Sequence, residues 1–270
     1  MTGMGRDGSF GRARRAAVLL AVGLGLSLLL MLPGCAKKGA KQSVDESRAQ
    51  AFYRLGLRFL QDENLRAAYG ELSKAVDLQP RNPIYRNALG LLSLSLGRHE
   101  SAEEQFKRAL KLDPTLTDAH MNLGMVYSET GRFELAAQEY GYTLQDPAYL
   151  TPEKAYLNWG LTLLKSGNSK EAEAKFRMAI DASPRYSRGH YELARVIEGA
   201  GDLEAALREY QEAWKGLSEV PELNLKLGQL YMELGDGTQA RVYFETVIAV
   251  APGSTQAGEA RDYLDKIPSR

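Results

Sequence analysis

Cysteine and histidine are scarce in this chain, and neither sign of charge is in excess. The 270 residues include one cysteine and three histidines, and 34 basic residues balance 34 acidic ones. A single cysteine cannot form an internal disulfide, and with no second soft ligand nearby it does not predict a structural zinc site. A formal net charge of zero gives the whole chain no electrostatic attraction to nucleic acid. We therefore expect no nucleic-acid partner.

The sequence also lacks the motifs of common enzymes. It contains no G-x-x-x-x-G-K-[ST] loop, no H-E-x-x-H helix and no G-x-S-x-G elbow. His99, His120 and His190 are not paired with cysteine or acidic residues at metal-ligand spacing. We expect no catalytic residue, no metal and no cofactor other than covalent lipid, and therefore not an enzyme.

The N-terminus has the features of an export signal. Four arginines, at positions 6, 12, 14 and 15, precede an apolar run from Ala16 to Leu32, and Gly34 and Cys35 follow. A basic segment, a short apolar segment and a small residue before the cleavage site form a signal peptide in that order. At about 17 residues the run is nearly long enough to span a bilayer, so an uncleaved signal anchor is the alternative.

The ending Leu-x-Gly-Cys resembles the bacterial lipobox, although Pro33 departs from its usual small residue. The resemblance implies that residues 1–34 are a lipoprotein signal peptide and that Cys35 carries diacylglycerol and an N-acyl lipid such as palmitate. Two or three acyl chains, at ~0.8 kcal/mol per buried methylene, would anchor the protein firmly. By resemblance to the sorting rules of enteric lipoproteins, Ala36 after the cysteine favours the outer membrane, with the protein facing the periplasm. Residues 35–48 are predicted to be the lipidated cysteine and a short tether without apolar periodicity.

One period of about 34 residues dominates the rest of the sequence. Units are predicted at residues 49–82, 83–116, 117–152, 153–186, 187–220 and 221–254. Position 8 of each unit is Gly or Ala, position 20 is always Ala, and position 24 is Leu, Phe or Tyr. Small residues allow two helices to cross closely, and large ones fill the space between hairpins. Position 15 is Gly in units two to six, which ends the first helix of each hairpin, and Glu63 replaces it in the first unit.

This pattern resembles the tetratricopeptide (TPR) repeat over residues 49–254. The resemblance implies an all-α fold, a right-handed superhelical solenoid of six TPR helix hairpins. Residues 255–270 are predicted to form a capping helix and tail that cover the last hairpin. The third unit is two residues longer than the others, which predicts a longer loop before the fourth.

In TPR proteins the first helices of the hairpins line a concave groove with positions 2, 5, 9 and 12. Units one to four place apolar residues there, and these are the predicted partner-binding residues: Tyr53, Leu57, Leu60, Ile84, Leu91, Leu94, Met121, Met125, Leu157, Leu161 and Leu164. Units five and six have charged and polar residues, including Arg188, Arg195 and Glu198. Contiguous exposed apolar surface usually marks an interaction site. Packing of some of these leucines against neighbouring helices is the alternative.

Two asparagines occupy position 6, Asn122 in unit three and Asn158 in unit four. Some TPR proteins use asparagine there to hold a peptide carboxylate. The basic residues of a complete carboxylate clamp are missing here, and Lys165 alone lies nearby in the pattern. We therefore favour solvation or hydrogen bonding between helices for both side chains.

A lipobox followed by six repeats, with Tyr149-Leu-Thr-Pro-Glu-Lys-Ala-Tyr156 and then Asn158-Trp-Gly160, resembles the PilF, PilW and Tgl lipoproteins of type IV pilus biogenesis. The resemblance implies an outer-membrane pilotin that binds secretin subunits and promotes their targeting and multimer assembly, and hence pilus biogenesis and twitching-type motility. Apart from its partner the protein is expected to be a monomer. The alternative is a lipid-anchored TPR adaptor for peptidoglycan enzymes or outer-membrane protein assembly.

Overall fold

A computed structural model describes the backbone of residues 33–268 and the side chains of residues 42–268. In this part of the chain the regular elements are thirteen α-helices, without a β-strand. Their bounds are α1 (Pro33–Gln61), α2 (Leu65–Leu78), α3 (Pro83–Ser95), α4 (His99–Leu112), α5 (Thr117–Glu129), α6 (Phe133–Gln145), α7 (Pro152–Lys165), α8 (Ser169–Ala182), α9 (Ser187–Gly199), α10 (Leu203–Leu217), α11 (Pro221–Glu233), α12 (Gly237–Val250) and α13 (Thr255–Leu264).

The predicted fold class is confirmed. Helices α1 to α12 form six consecutive hairpins, one for each predicted repeat, and each second helix from α4 to α10 packs on the first helix of the next hairpin. The first helices α3, α5 and α7 also contact their neighbours directly. The segment predicted to cap the array forms α13, whose Ala257 and Ala260 are buried. Tyr263 of that helix stacks on Phe244 of the sixth hairpin, with ring centroids 5.0 Å apart.

The small residue at position 8 faces the large residue at position 24 of the same hairpin. A Cβ atom built on Gly124 would lie 2.6 Å from Cε1 of Tyr140, and one built on Gly160 would lie 2.4 Å from Cε1 of Phe176. Contacts this short do not occur between real side chains, so the ring takes the space that a methyl group would need. The alanine at position 20 is fully buried in every hairpin. The close contact between positions 8 and 24 and the burial of the alanine at position 20 therefore recur from the first repeat to the last.

The turn inside each hairpin requires a left-handed residue. The glycines at position 15 have φ between 67° and 91°. Glu63, which replaces glycine in the first hairpin, has φ of 56° and is the only other left-handed residue in the described part of the chain. The fold therefore imposes the same backbone conformation even where the sequence does not supply the residue that adopts it most easily.

A polar side chain at position 4 joins four of the hairpins to the turn before them. Arg86, His120, His190 and Asn224 each bond to the backbone carbonyl of the residue six positions earlier, at 2.7, 3.0, 3.1 and 2.7 Å. The two histidines also contact a glutamate on the second helix of their own hairpin. Both histidines therefore connect structural elements.

The first helix extends into the predicted tether. Residues 36–44, which belong to that tether, lie inside α1, which begins at Pro33. Proline is tolerated in the first turn of a helix because its missing N–H would have no partner there. Alanine, lysine and glutamine, which make up most of the following segment, have high intrinsic helix propensity. Propensity can therefore support a helix here without an apolar stripe.

The connection between the third and fourth hairpins is the longer loop that the repeat length predicts. Asp146–Thr151 connect α6 to α7, whereas four residues connect α4 to α5. The Asp146 carboxylate accepts hydrogen bonds from the Thr117 hydroxyl and the Ala148 backbone N–H, at 2.5 and 2.8 Å. Tyr149 packs on the core beneath, and Leu150 is 91% exposed at the tip. The loop is thus fixed by side-chain bonds at its start.

The predicted signal peptide, residues 1–34, lies almost entirely outside the described residues, as does the side chain of Cys35. Among the described residues, no helix combines the length and the apolar character needed to cross a membrane.

Candidate partner-binding groove

The structure divides the eleven predicted groove residues by exposure. Ile84 and Leu91 are 50% and 40% exposed, which is high for large apolar side chains on a folded surface. Leu94, Met121 and Leu157 are buried and belong to the cores of the second to fifth hairpins. The other six are half-buried: Tyr53, Leu57, Leu60, Met125, Leu161 and Leu164. The alternative of packing against neighbouring helices therefore holds for the three buried residues, and binding by the other eight stays a prediction.

Three of the half-buried residues come together in one cavity. Met125 on α5 and Leu161 and Leu164 on α7 line it, together with Arg195 on α9. The cavity lies across the first helices of the third, fourth and fifth hairpins and has a volume of about 460 Å³. It is therefore large enough for one or two side chains of a bound segment. We refer to it below as the central cavity.

Hydroxyl groups lie beneath this apolar surface. The Thr162 hydroxyl lies 2.8 Å from Oγ of Ser128 and 3.4 Å from the phenol oxygen of Tyr140. Ser128 and Tyr140 also line the central cavity. Burial raises the pKa of Tyr140 to about 12, so its phenol is neutral at physiological pH. These hydroxyls join the third and fourth hairpins and place polar atoms beside the apolar ones.

The sequence analysis did not single out Ser128, Tyr140 and Thr162 as polar groups of the groove. The sequence does indicate that Thr162 is unusual, because it is a hydroxyl residue at position 10, where the second, third, fifth and sixth units have leucine or valine. A polar residue at an otherwise apolar position of a repeat predicts a buried polar partner, since buried hydroxyls are nearly always hydrogen-bonded.

The fifth and sixth hairpins satisfy most of their groove charges internally. Arg195 donates to Glu192 at 2.7 Å, and Lys226 donates to Glu198 at 3.0 Å. The Tyr210 phenol donates to the other oxygen of Glu198 at 2.8 Å. Burial and this carboxylate raise the pKa of Tyr210, so the phenol keeps its proton. The predicted change from an apolar to a charged groove is therefore present, and its charges are largely paired with each other.

The two position-6 asparagines have different environments. The Asn122 amide donates to Oδ1 of Asn87 on the preceding hairpin, at 3.1 Å. This is the bond between helices that the sequence analysis favoured. Asn158 instead lines the central cavity, as Lys165 does.

Comparison with known proteins supports the repeat assignment along most of the chain. Models of the tetratricopeptide repeat family match residues 53–117 and 157–219, residues 117–141 and residues 198–262. These ranges include parts of all six hairpins.

Solved structures with the same fold include the proteins PilF and PilW. PilF of Pseudomonas aeruginosa is 22% identical, with a TM-score of 0.69, over 81% of this chain and 98% of that one. PilW, a type IV pilus biogenesis factor, is 23% identical, with a TM-score of 0.70, over 79% of this chain and 98% of that one.

A structure from an unrelated assembly has the same architecture. The Cut9–Hcn1 hetero-tetramer of the APC/C is 14% identical, with a TM-score of 0.64, over 82% of this chain and 43% of that chain. At these identities the likeness concerns the fold alone, and the fold is one that serves as a protein-interaction scaffold. From its repeat pattern, its hairpins and the matching family models, this chain is a tetratricopeptide repeat protein.

Proposed function

We propose that this chain is an outer-membrane lipoprotein that binds secretin subunits of a type IV pilus machine and promotes their assembly into multimers. The central cavity is the observation that carries the proposal, because it offers apolar side chains on the first helices of a protein-binding scaffold. The similarity to PilF and PilW over 98% of each of those chains supports the choice of a pilus system. Pilus biogenesis and twitching-type motility would depend on the protein.

The mechanism follows from the exposure of apolar groups. A secretin subunit must keep its membrane-facing and interface segments from aggregating until oligomerisation buries them. An apolar groove can cover such a segment reversibly, because burial stabilises the complex by about 25 cal/mol for each Å² of apolar surface removed from water. Acyl chains on Cys35 would hold this scaffold at the outer membrane, where the subunits assemble.

The first test is a strain from which the gene is deleted. Heat- and detergent-resistant secretin multimers are measured by immunoblot, with the level of secretin monomer as the control. We expect multimers to be lost while monomers remain. Normal multimers would contradict the proposal and would leave the adaptor function, for peptidoglycan enzymes or outer-membrane protein assembly, to be tested by crosslinking.

A matched pair of groove variants tests the surface itself. Leu91 on α3 and Leu112 on α4 are both 40% exposed, but only Leu91 belongs to the predicted groove. Leu91→Asp is expected to abolish secretin multimers, and Leu112→Asp is expected to leave them intact. Equal loss with both variants, at equal protein levels, would mean that a general effect on the protein and not the groove was responsible.

The anchor is tested separately. Cys35→Ser is expected to move the protein from the outer-membrane fraction to other fractions and to abolish incorporation of labelled palmitate. Membrane association that persists without label would favour the uncleaved signal anchor over the lipid.

A further inference from the structure

A hollow lies between two consecutive connections of the array. The connection from α4 to α5 and the connection from α6 to α7 line it, and its volume is about 410 Å³. Its lining includes three carboxylates, those of Asp113, Asp118 and Asp146. None of the eleven predicted groove residues is among the described residues that line it. The hollow is therefore a separate feature from the central cavity.

Two large apolar side chains are exposed beside this hollow. Leu150, at the tip of the α6–α7 connection, is 91% exposed, and Tyr142 on α6 is 52% exposed. The Tyr142 ring contacts the ring of His120, with centroids 5.1 Å apart, and His120 Nε2 lies 3.0 Å from the carbonyl oxygen of Pro114 in the α4–α5 connection. Tyr142 also precedes Asp146 by four residues, about one helical turn. Apolar side chains that are exposed together and bordered by polar groups are typical of interaction sites.

The α6–α7 connection holds Leu150 in place. The Tyr149 side chain packs on the core, and its backbone N–H donates to the carbonyl oxygen of Asp146 at 3.1 Å. The Asp146 carboxylate in turn accepts from the Thr117 hydroxyl and the Ala148 N–H. A segment that is already ordered loses little conformational entropy when a partner covers it, so this arrangement favours binding through Leu150.

The charge of the hollow is entirely negative. Among the described residues that line it none is basic, and none of its three carboxylates forms an ion pair with another side chain of residues 42–268. The bonds from Thr117 and Ala148 lower the pKa of Asp146, so this carboxylate is ionised at neutral pH. His120 contacts Glu139 at 2.6 Å and therefore does not compensate the hollow. A surface with this charge is complemented by a basic group.

We propose that the hollow binds a lysine or arginine side chain of a partner protein, and that apolar side chains of the same partner segment pack on Tyr142 and Leu150. We call the lining of the hollow together with these two side chains the junction surface. This inference does not depend on the groove or on secretin. It gives the scaffold a second surface, so that one segment can occupy the groove while another occupies the junction surface.

The test selects random linear peptides by display on the full-length protein in nanodiscs of phosphatidylcholine, a lipid without net charge. Peptides that also bind the Leu150→Ser variant are removed, which leaves those that need this side chain. The remaining peptides are synthesised with acetylated and amidated ends, so that side chains supply their only charges, and affinities are measured by fluorescence anisotropy. We expect Lys or Arg next to an apolar residue, and affinity that falls between about 50 and 300 mM NaCl because salt screens exposed charges.

Further variants locate the contact. Asp118→Asn, which removes a charge and keeps the shape, is expected to weaken a selected peptide about threefold at low salt, the effect of an exposed ion pair. Tyr142→Ser is expected to weaken it about tenfold, because complex formation would bury part of the ring. The matched controls are Asp262→Asn and Val242→Ser, because both residues are exposed on the last two helices, α13 and α12. Both controls are expected to bind the peptide like the wild-type protein.

The inference is overturned if no peptide remains after the selection against Leu150→Ser, if the remaining peptides lack Lys and Arg, or if Asp118→Asn and Asp262→Asn have equal effects. Leu91→Asp is expected to bind the peptide like the wild-type protein, and loss of binding would place the peptide in the groove, contrary to the proposal. Analytical ultracentrifugation tests a second copy of the chain as the occupant. A dimer formed by the wild-type protein and not by Leu150→Ser would contradict the proposed partner. None of these measurements involves secretin, so the inference and the proposed function can fail independently.

Discussion

His120 Nδ1 lies 2.6 Å from Oε2 of Glu139, and His120 Nε2 lies 3.0 Å from the carbonyl oxygen of Pro114. Both ring nitrogens thus face acceptors. A neutral imidazole has one N–H and would turn a lone pair toward the other acceptor, so the arrangement favours the doubly protonated ring. The Glu139 hydrogen bond, followed by the Pro114 bond, raises the pKa of His120 against the opposing effect of burial.

This contact predicts a pH-dependent contribution to stability. Because the folded-state pKa of His120 is raised above the ordinary value of 6.5, its stabilising effect is fully present below pH 6.5 and is lost as the pH rises through the raised value. His120→Asn keeps a donor for the carbonyl, as Asn224 does in the sixth hairpin. The difference in urea midpoint between wild type and variant is expected to narrow from pH 5.5 to pH 8.5.

The control for this pH effect is Glu139→Gln, which removes the negative partner. When both proteins carry Glu139→Gln, the effect of His120→Asn on the urea midpoint is expected to change little between pH 5.5 and pH 8.5. If the effect of His120→Asn without Glu139→Gln also stayed constant over this range, the assignment of a charge to His120 would be contradicted.

Close packing inside each hairpin predicts opposite effects for the same substitution at two glycines. Gly160→Ala places a methyl group 2.4 Å from Cε1 of Phe176, and we expect it to lower the free energy of unfolding by about 1–3 kcal/mol. Gly141→Ala, on the outer part of α6 with no atom within 4 Å, is expected to raise it by about 0.5–1 kcal/mol. Urea unfolding followed by circular dichroism measures both, and destabilisation by Gly141→Ala would point to a general cost of added methyl groups.

The repeat period predicted the hairpins and their small and large core positions, because these depend on residues that recur at fixed spacing. The capping helix was predicted from the segment after the last repeat, because the end of a solenoid must be covered. The pairing of side chains across hairpins could not be predicted in the same way. The Thr162 hydroxyl of the fourth hairpin bonds to Ser128 and Tyr140 of the third because the two hairpins pack on each other. The separation of these residues in the sequence does not indicate which hydroxyls come within bonding distance.

The groove prediction was limited for a related reason. Positions 2, 5, 9 and 12 define a face of a helix, but the exposure of each side chain on that face depends on what packs against it. Leu91, at position 9, is 40% exposed, whereas Leu157, at position 5, belongs to a buried cluster with Ala172 and Phe176. The segment after Cys35 lacks apolar periodicity, so its pattern did not predict a helix, whereas its helix propensity permits the one that the structure contains.

The left-handed turns predict a second pair of opposite effects. Gly131 has φ of 74°, and Gly131→Ala is expected to lower the free energy of unfolding by about 1 kcal/mol, because a Cβ atom is strained in this conformation. Glu63 already bears that strain at φ of 56°, so Glu63→Gly is expected to raise stability by about 0.5 kcal/mol after the added flexibility of the unfolded chain is subtracted. Thermal unfolding of the two variants measures both changes, and the same sign for both would be inconsistent with backbone strain.

The division of the groove by exposure predicts which leucines serve stability and which remain free to bind. Leu157 is 3% exposed within the core of the fourth hairpin, and Leu157→Ala is expected to lower the free energy of unfolding by about 2–5 kcal/mol through lost burial and the cavity left behind. Leu91 is 40% exposed, so Leu91→Ala is expected to cost less than about 1 kcal/mol.

Of these two substitutions, only Leu91→Ala can therefore test binding without also lowering the stability of the fold. Leu91→Ala should reduce secretin multimers without changing thermal stability. Leu157→Ala should reduce secretin multimers only at temperatures at which the variant itself unfolds. If Leu91→Ala lowered stability as much as Leu157→Ala does, its exposed surface would be part of the folding core, and the binding surface would have to be sought around the central cavity alone.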